Sequence, residues 1–243
     1  MRIIQITDMH ISREGENPHG IDVRNQFLQV FLASADFNPD CVVLSGDLCF
    51  GDPSHEIYEW IAEQIRIFSC PVFVIAGNHD TQSVMHRHFT CDYHPETDEI
   101  YCAQEWQGKP ILFLDSARGV MSDIQYRWLE GFLSTSGDQV FIFMHHPPAY
   151  CGVPYMDMTY AFREIPRLQR LLIRSKAEFQ IFCGHYHVER ELSFANQQIY
   201  ITPSTFFQID ATQVEFKIAH SKPGYRVIDL DEDGLVHSAC HYL

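Results

Sequence analysis

Two histidines two positions apart follow the apolar run FQIFC, residues 179–183, within the segment GHYH. If the run is a β-strand, side chains two residues apart at its end project to the same side, so that His185 and His187 can reach one point. Such a pair suits metal binding, because neutral imidazole is a common metal ligand. For this fragment alone, a polar strand end that faces water is the open alternative.

Four other apolar runs are also followed by side chains that can bind metals. These side chains are Asp8 and His10 after RIIQIT, Asp47 after CVVLS, Asn78, His79 and Asp80 after PVFVIA, and His145 and His146 after QVFIFM. Open α/β sheets place their ligand sites at the carboxyl ends of strands. The recurrence at five strand ends therefore predicts a single site that gathers these residues.

The elements that must position the site follow from the pattern of apolar residues. Near-continuous apolar runs predict strands covered on both faces, at residues 2–7, 41–45, 71–76, 111–115, 139–144 and 179–183. Helix-period segments lie between them, at residues 22–37, 53–68, 122–133 and 159–174. Pro53 in a first turn, and Ser122 and Thr159 as N-caps, are the expected start signals of three helices.

After Cys183 the pattern changes to short strand-like pieces, at residues 189–194, 198–202, 214–218, 225–230 and 235–240. Two packed sheets with helices outside accommodate a β/α part followed by a strand-rich part. No linker-like composition and no internal repeat divides the chain. We therefore expect residues 1–243 to form a single domain, in which residues 188–243 provide a cap or a dimer contact.

The clustered residue types suit a centre with two metal ions. Two divalent ions held about 3.5–4 Å apart by carboxylate, amide and imidazole groups can clamp a phosphoryl group and lower the pKa of bound water. A ligand that bridges both ions must be a carboxylate, because one imidazole nitrogen cannot serve two ions. Asp47 follows a glycine that lets the backbone come close, and it is the candidate bridge. The spacing of Asp8 and His10 repeats that of His185 and His187.

Five motifs in this order resemble the calcineurin-like metallophosphoesterases: D-x-H, G-D, G-N-H-D, H-H-P-P and G-H-x-H, between residues 8 and 187. The segments FMHHPP and IFCGHYH are most similar to the bacterial branch that holds class III cyclic nucleotide phosphodiesterases and glycerophosphodiesterases. The resemblance implies an α/β (α+β) fold. It is a four-layer αββα sandwich of two mixed β-sheets flanked by helices, with the site at the strand ends.

The resemblance also implies the ligands and the nucleophile, which is a metal-bridging hydroxide. The first ion is expected on Asp8, His10, Asp47 and His187, and the second on Asp47, Asn78, His145 and His185. His79 is expected to contact the phosphate or to protonate the leaving oxygen. Asp80 is expected to orient an imidazole. His146 is the alternative to His145.

Several residues have structural alternatives. Asp8, Asp47 and Asn78 can each cap a helix or a turn. We expect His86 and His88 on the surface, because residues two apart diverge on a helix-like segment. Asp115 is expected to support the core. The aromatic stretches 150–157 and 200–208 are candidates for the substrate wall, and equally for core or a dimer contact.

Composition narrows the setting. Seventeen Lys and Arg against 32 Asp and Glu give a net charge of −15, which opposes nonspecific binding to nucleic acid or to an anionic membrane. No signal-peptide core and no bilayer-spanning apolar run is present, and the eight cysteines form no C-x-x-C pair. These features predict a soluble, cytoplasmic protein with free thiols.

The sequence therefore predicts a dinuclear metal-dependent phosphodiesterase of a small phosphodiester, either a 3′,5′-cyclic nucleotide or a glycerophosphodiester. A phosphomonoesterase or pyrophosphate-cleaving enzyme with the same site is the enzymatic alternative, and a non-catalytic scaffold is the alternative of another class. Manganese and iron are the expected metals, and zinc or cobalt accepts the same ligands. A homodimer or higher homo-oligomer is also expected from the resemblance. Motifs of P-loop, serine-nucleophile, HExxH and dinucleotide-binding enzymes are absent from the sequence.

Overall fold

The structure is a computed structural model that describes residues 1–106, 108–231 and 233–243. Its strands, in chain order, are β1 (Arg2–Ile6), β2 (Cys41–Ser45), β3 (Val72–Ile75), β4 (Tyr93–His94), β5 (Glu99–Ile100), β6 (Cys102–Trp106), β7 (Lys109–Leu114), β8 (Gln139–Met144), β9 (Glu178–Cys183), β10 (Arg190–Phe194), β11 (Gln197–Ile201), β12 (Gln208–Ile209), β13 (Ile218–His220), β14 (Gly224–Leu230) and β15 (Val236–Tyr242). Its helices are α1 (Val23–Ala35), α2 (His55–Gln64), α3 (Gln82–Met85), α4 (Asp123–Leu133), α5 (Pro154–Thr159) and α6 (Ile165–Arg174). Short 3₁₀ turns lie at Pro18–Gly20 and Ile65–Ile67.

Two mixed sheets form the centre of the molecule. The first has the order β15-β14-β1-β2-β3, in which β1, β2 and β3 are parallel. The second has the order β10-β11-β9-β8-β7-β6, in which β11, β9, β8 and β7 are parallel. The strand-rich final part of the chain supplies β14 and β15 to the first sheet and β10 and β11 to the second.

Alternating side chains on each strand divide the core into layers. On β1, Ile3 packs between the two sheets and Ile4 packs outward against a cluster that includes Phe27 of α1. On β8, Phe141 packs between the sheets and Ile142 packs outward with residues of α4 and α6. Both faces of each sheet are therefore covered, which explains the near-continuous apolar runs. The expected αββα sandwich is confirmed.

Helix starts follow local capping chemistry. The side chains of Asp22, Ser54 and Ser122 accept hydrogen bonds from backbone N–H groups three residues on, which satisfies donors that helix ends leave free. The predicted role of Ser122 as an N-cap is confirmed. The prediction for Pro53 is wrong, because Ser54 is the N-cap and Pro53 precedes the helix.

Two further boundaries differ from the sequence prediction. The helix predicted at 159–174 starts too early: α6 begins only at Ile165, and Thr159 is the last residue of α5. A helix that began at Thr159 would place Pro166 in its interior, where proline removes a hydrogen bond; Pro166 instead lies in the first turn of α6. The predicted strand 214–218 is wrong except at its end, since β13 begins at Ile218 and Lys217 pairs with Asp210 at 2.9 Å across a loop.

Candidate metal centre

The predicted site residues meet where parallel strands of both sheets end. Asp8 N donates to the carbonyl of Gly46 at 3.0 Å, and Gly184 N donates to the carbonyl of His145 at 3.0 Å. His145 Nδ1 donates from the second sheet to the carbonyl of Ser45 in the first at 2.9 Å. The two sheets thus present their candidate ligands at one shared edge.

Left-handed backbone is concentrated at this edge. Nine non-glycine residues of the described chain have positive φ, and five of them are candidate ligands with φ between 45° and 69°: Asp8, His10, Asp47, His185 and His187. This conformation is unfavourable for residues with a Cβ, at a cost of order 1–2 kcal/mol each. Such strain persists only where the surrounding fold over-determines it, which is typical of functional sites.

The side chains form three overlapping groups in which one ligand atom from each residue lies within 4.8 Å of the others. The groups are Asp8, His10 and His187; His10, Asp47 and His79; and Asp47, His145 and His185. Asp47 and His10 each belong to two of them, and Asp47 is the carboxylate of the two. A carboxylate has two oxygens, so Asp47 could serve as a ligand shared by two ions.

Backbone carbonyls fix the ring nitrogens that point into the centre. His185 Nε2 donates to the carbonyl of Tyr160 at 2.9 Å, and His187 Nδ1 donates to the carbonyl of Phe207 at 3.0 Å. A carbonyl only accepts, so each imidazole, when neutral, directs the lone pair of its other nitrogen inward. His145 is held in the same way. Imidazoles that bind metals have this outer hydrogen bond in most proteins.

Two contacts show that the donor set fits cations. His145 Nε2 is buried, has no hydrogen-bond partner among the described residues and lies 3.3 Å from Asp47 Oδ2. His10 Nε2 and His187 Nε2 face each other at 3.1 Å. Lone pairs and carboxylate oxygens that converge in this way repel one another unless a proton or a cation lies between them. The residues present therefore fit divalent ions.

The pKa values of buried groups at the centre also indicate that positive charge stabilises it. Burial alone would raise the pKa of Asp8, but His187 and His145 offset this effect and lower it to about 2. Burial lowers the pKa of His10 to about 3. Burial would also lower the pKa of His145, but Asp47 raises it to about 9, so a proton on His145 supplies positive charge when no metal does.

Glycines of two motifs make room for the carboxylates. A methyl group on Gly184 would overlap Thr7 Oγ1 and Asp8 Oδ2. A methyl group on Gly77 would overlap the backbone N and the carboxylate of Asp47. These atoms belong to backbone or to short buried side chains that cannot move aside, so a larger residue would displace candidate ligands.

Asp80 ties together the loops that follow β2 and β3. Its carboxylate accepts the backbone N–H of Gly77 at 2.9 Å, the backbone N–H of Leu48 at 3.1 Å and the hydroxyl of Tyr58 at 3.1 Å. Burial, reinforced by Asp47, raises its pKa to about 7. Its hydrogen bonds within the described chain go to backbone and to Tyr58 rather than to an imidazole. Asp80 thus holds these loops together, and the expectation that it orients an imidazole stays a prediction.

Asn78 and His79 lie at the mouth of the centre. The backbone N–H of His79 donates to Asp47 Oδ1 at 2.8 Å, and its ring lies edge-on to His10 with centroids 4.9 Å apart. Both residues line the adjoining cavity. The expectation that His79 contacts the phosphate stays a prediction, because the ring also lies within ligand range of His10 and Asp47.

His145 rather than His146 faces the carboxylates. His146 Nδ1 contacts Ser116 Oγ at 3.1 Å, and the His146 ring lies against His185 with centroids 4.1 Å apart. The neighbouring Asp115 is buried and accepts the backbone N–H of Ile100 at 2.7 Å. Its position in the turn after β7 accords with a supporting role.

His86 and His88 are half-buried and away from the centre. The His86 ring stacks on Tyr93 with centroids 4.1 Å apart, and His88 Nε2 contacts His55 Nδ1 at 2.8 Å. The surface position expected of both residues is therefore only partly correct. Neither belongs to a potential metal-binding group within the described ranges.

A cavity of about 340 Å³ opens beside the centre. Its walls are His10, His19, Asp47, Phe50, Asn78, His79, Tyr155, Met156, Tyr160, His185, His187, Phe206, Phe207, Ile209 and Phe216. The stretches 150–157 and 200–208, expected as a wall, contribute Tyr155, Met156, Phe206 and Phe207. Sequence reasoning missed His19, Tyr160 and Phe216, because single aromatic residues in loops carry no motif.

Comparison with known proteins agrees with this geometry. A probable cyclic nucleotide phosphodiesterase of Fibrobacter succinogenes is 36% identical over 233 residues, which cover 96% of this chain and 91% of that protein. The 3′,5′-cyclic adenosine monophosphate phosphodiesterase CpdA of Escherichia coli K12 is 29% identical over 252 residues, covering 100% and 90%. The glycerophosphodiester phosphodiesterase GpdQ of Enterobacter lignolyticus is 29% identical over 228 residues, covering 86% and 79%.

The fold has solved counterparts. A dimetal phosphatase from Danio rerio superposes with a TM-score of 0.70 at 15% identity, covering 94% of each chain. Fold and site together define a metal-dependent phosphoesterase of αββα architecture. The chain belongs to the calcineurin-like phosphoesterase family, whose model matches residues 1–189. It is accordingly a hydrolytic enzyme.

Proposed function

We propose that the protein hydrolyses a small phosphodiester, with 3′,5′-cyclic nucleotides and glycerophosphodiesters as the candidate substrates. The observation that carries the proposal is the position of Asp47 in two overlapping groups of ligand atoms. Relatives named for both kinds of diester cover most of the chain. These relatives support the diester class and leave the choice within it to experiment.

In this proposal Asp47 serves both metal sites, and the remaining ligands are divided between them. Asp8, His10 and His187 complete one site, and Asn78, His145 and His185 complete the other. Bound divalent ions supply charge to the phosphoryl oxygens and lower the pKa of a water molecule.

The other residues of the chain position these groups. Backbone carbonyls hold the imidazoles of His145, His185 and His187 in one tautomer. His79 contacts the phosphate and delivers a proton to the leaving oxygen. Asp80 keeps the His79 loop against the loop of Asp47 through its bonds to Gly77 and Leu48.

We also propose which metals the enzyme binds and where in the cell it lies. Manganese or iron suits the mixed oxygen and nitrogen donors, and zinc or cobalt is the alternative. A cytoplasmic location accords with the eight cysteines, all of which lie in the described ranges and are free. The described helices include none with the length and apolarity to cross a bilayer.

We further propose a single domain over residues 1–243 that assembles as a homodimer or a higher homo-oligomer. The net charge of −15 argues against nucleic acid and anionic membranes as partners. Size-exclusion chromatography with light scattering tests the assembly. A monomer at working concentration would remove that part of the proposal.

Turnover of bis(p-nitrophenyl) phosphate against p-nitrophenyl phosphate by manganese-loaded protein tests the function, with chelator-stripped protein as the blank. The expected result is metal-dependent turnover with a higher kcat/KM for the diester. A preference for the monoester would contradict the proposal and indicate a phosphatase. Turnover that survives complete chelation would contradict the metal dependence.

A further inference from the structure

The cavity beside the metal centre is bordered by a continuous arc of aromatic rings. Starting at His10, the ring centroids follow one another to Phe206 at 5.5 Å, then to His19 at 5.8 Å, to Phe216 at 6.2 Å and to Tyr155 at 5.7 Å. We call the last four residues, Phe206, His19, Phe216 and Tyr155, the aromatic arc. It begins in contact with a candidate metal ligand.

The other end of the arc returns to the metal centre. The ring of Tyr155 lies 5.6 Å from that of Tyr160, whose carbonyl accepts the hydrogen bond from His185. A group attached to a phosphate held at the centre would therefore lie beside rings of the same cavity. At about 340 Å³ the cavity is of small-molecule size.

Three rings of the wall leave surface free, those of His19, Phe216 and Tyr160. Phe216 and Tyr160 are 44% and 48% exposed, whereas Phe206 is only 1% exposed and forms a fixed floor. The segment that carries Phe216 is joined to α5 by the backbone bond from Tyr155 N to the carbonyl of Gln213 at 3.2 Å. Exposed rings held in this way by neighbouring structure offer flat apolar faces to a ligand.

The charge of the wall restricts what the rings can bind. No lysine, arginine or glutamate lines the cavity among the described residues, and Asp47 at the metal centre is its one aspartate. Apart from the candidate ligands and His79, the polar residues of the wall are Tyr155, Tyr160 and His19. A neutral, flat ring with hydrogen-bonding edges is complementary to this surface, because its faces stack and its edges meet those polar residues.

From this complementarity we infer that the aromatic arc is a binding subsite for the nucleobase of a cyclic nucleotide, which rests on the proposed phosphodiesterase function. A glycerol substituent has no flat apolar face to set against the arc. A quaternary ammonium group is attracted to aromatic faces, but no carboxylate stands among the arc residues to balance its charge. Phe216 and Tyr155 thereby become the residues that favour a nucleotide over a glycerophosphodiester.

The test compares two ligands that differ only in the base. Calorimetry on manganese-loaded protein measures the Kd of 5′-AMP and of ribose 5-phosphate, which share the phosphate and the sugar. The base subsite predicts that 5′-AMP binds at least about tenfold more tightly, in line with one aromatic stacking contact. Equal Kd values would overturn the inference.

Variants test whether the aromatic arc causes the difference in Kd between the two ligands. Phe216→Leu keeps an apolar side chain and removes the ring face, so the ratio of the two Kd values should fall at least threefold while ribose 5-phosphate binds as before. Phe194→Leu is the matched control, because Phe194 is 49% exposed at the end of β10 and does not line the cavity. An unchanged ratio in Phe216→Leu, or an equal change in Phe194→Leu, would overturn the inference.

A third ligand separates the remaining alternative. Phosphocholine that binds more tightly than 5′-AMP, and weakens in Phe216→Leu, would overturn the base subsite in favour of a site for quaternary ammonium. The phosphodiesterase proposal is tested separately, by the preference of the enzyme between the nitrophenyl diester and the nitrophenyl monoester. The Kd ratio reports the base in either case, because both ligands are monoesters.

Discussion

His145 Nε2 on the second sheet lies 3.3 Å from Asp47 Oδ2 on the first, and both atoms are buried. Because His145 Nδ1 already bonds the Ser45 carbonyl, the inward nitrogen can meet this carboxylate favourably only through a proton or a cation. The contact therefore joins the two halves of the sandwich electrostatically.

The two adjacent histidines are predicted to behave differently. His145→Ala removes a nitrogen that faces Asp47, so bound manganese should fall to about one ion per chain. His146→Ala removes a ring that contacts Ser116 instead, and it should keep two ions. Metal analysis after gel filtration distinguishes them. Loss of metal in His146→Ala alone would reverse the assignment.

His79→Ala tests whether its imidazole acts on the substrate. We expect kcat to fall by about 100-fold or more, which is typical for removal of a general acid, while two metal ions remain bound. Loss of an ion would instead make His79 a ligand, as its proximity to His10 and Asp47 also allows. His241→Ala, in edge strand β15 away from the cavity, serves as the control.

Gly184→Ala should disrupt the centre through packing alone. The added methyl group would overlap Thr7 and Asp8, so we expect a loss of about 1–3 kcal/mol in unfolding free energy and weaker metal binding. Urea denaturation measures the change. Gly131→Ala in α4 is the control, because its added methyl meets nothing within 4 Å. Equal stability of the two variants would show that the close approach at Gly184 is not required.

Asp115 should give a pH-dependent contribution to stability. Burial raises its pKa from 3.8 to about 6, although Ile100, Ala117 and Gln82 donate hydrogen bonds to it. The folded state therefore keeps this proton after the unfolded chain has lost it. The contribution is fully present below pH 4 and is lost as the pH rises through 6.

Asp115→Asn removes this titration and leaves the others in place. Between pH 4.5 and 7.5, the wild type should lose about 2 kcal/mol of unfolding free energy relative to Asp115→Asn. Urea titrations at several pH values measure this difference. A difference that stays constant with pH would rule out a raised pKa at Asp115.

Much of the fold and site was predictable from the sequence for a physical reason. Parallel strands buried on both faces must be apolar throughout, so the polar residues that end them are conspicuous, as Asp47 after CVVLS shows. The ends of such strands meet at one edge. That is why residues 8 and 187, far apart in the chain, could be assigned to one centre.

Other features depend on contacts that no local pattern encodes. His19 lies in a 3₁₀ turn and Phe216 in a loop nearly 200 residues further on, and both pack against Phe207. The start predicted for the helix 159–174 was wrong, because Pro166 fits the first turn of a helix and not its interior. The role of Asp80 depends on Tyr58, which the sequence shows only as one aromatic residue of an amphipathic helix.

The most direct test of the shared-carboxylate centre is the manganese content and diester turnover of Asp47→Asn, measured on the same preparation. Asp138→Asn is the matched control, because Asp138 precedes β8 at the end of that strand away from His145. We expect a folded protein that holds fewer than two ions and hydrolyses bis(p-nitrophenyl) phosphate at least about 1,000-fold more slowly, because a metal site is lost. Two bound ions with undiminished turnover in Asp47→Asn would rule out Asp47 as an essential shared ligand.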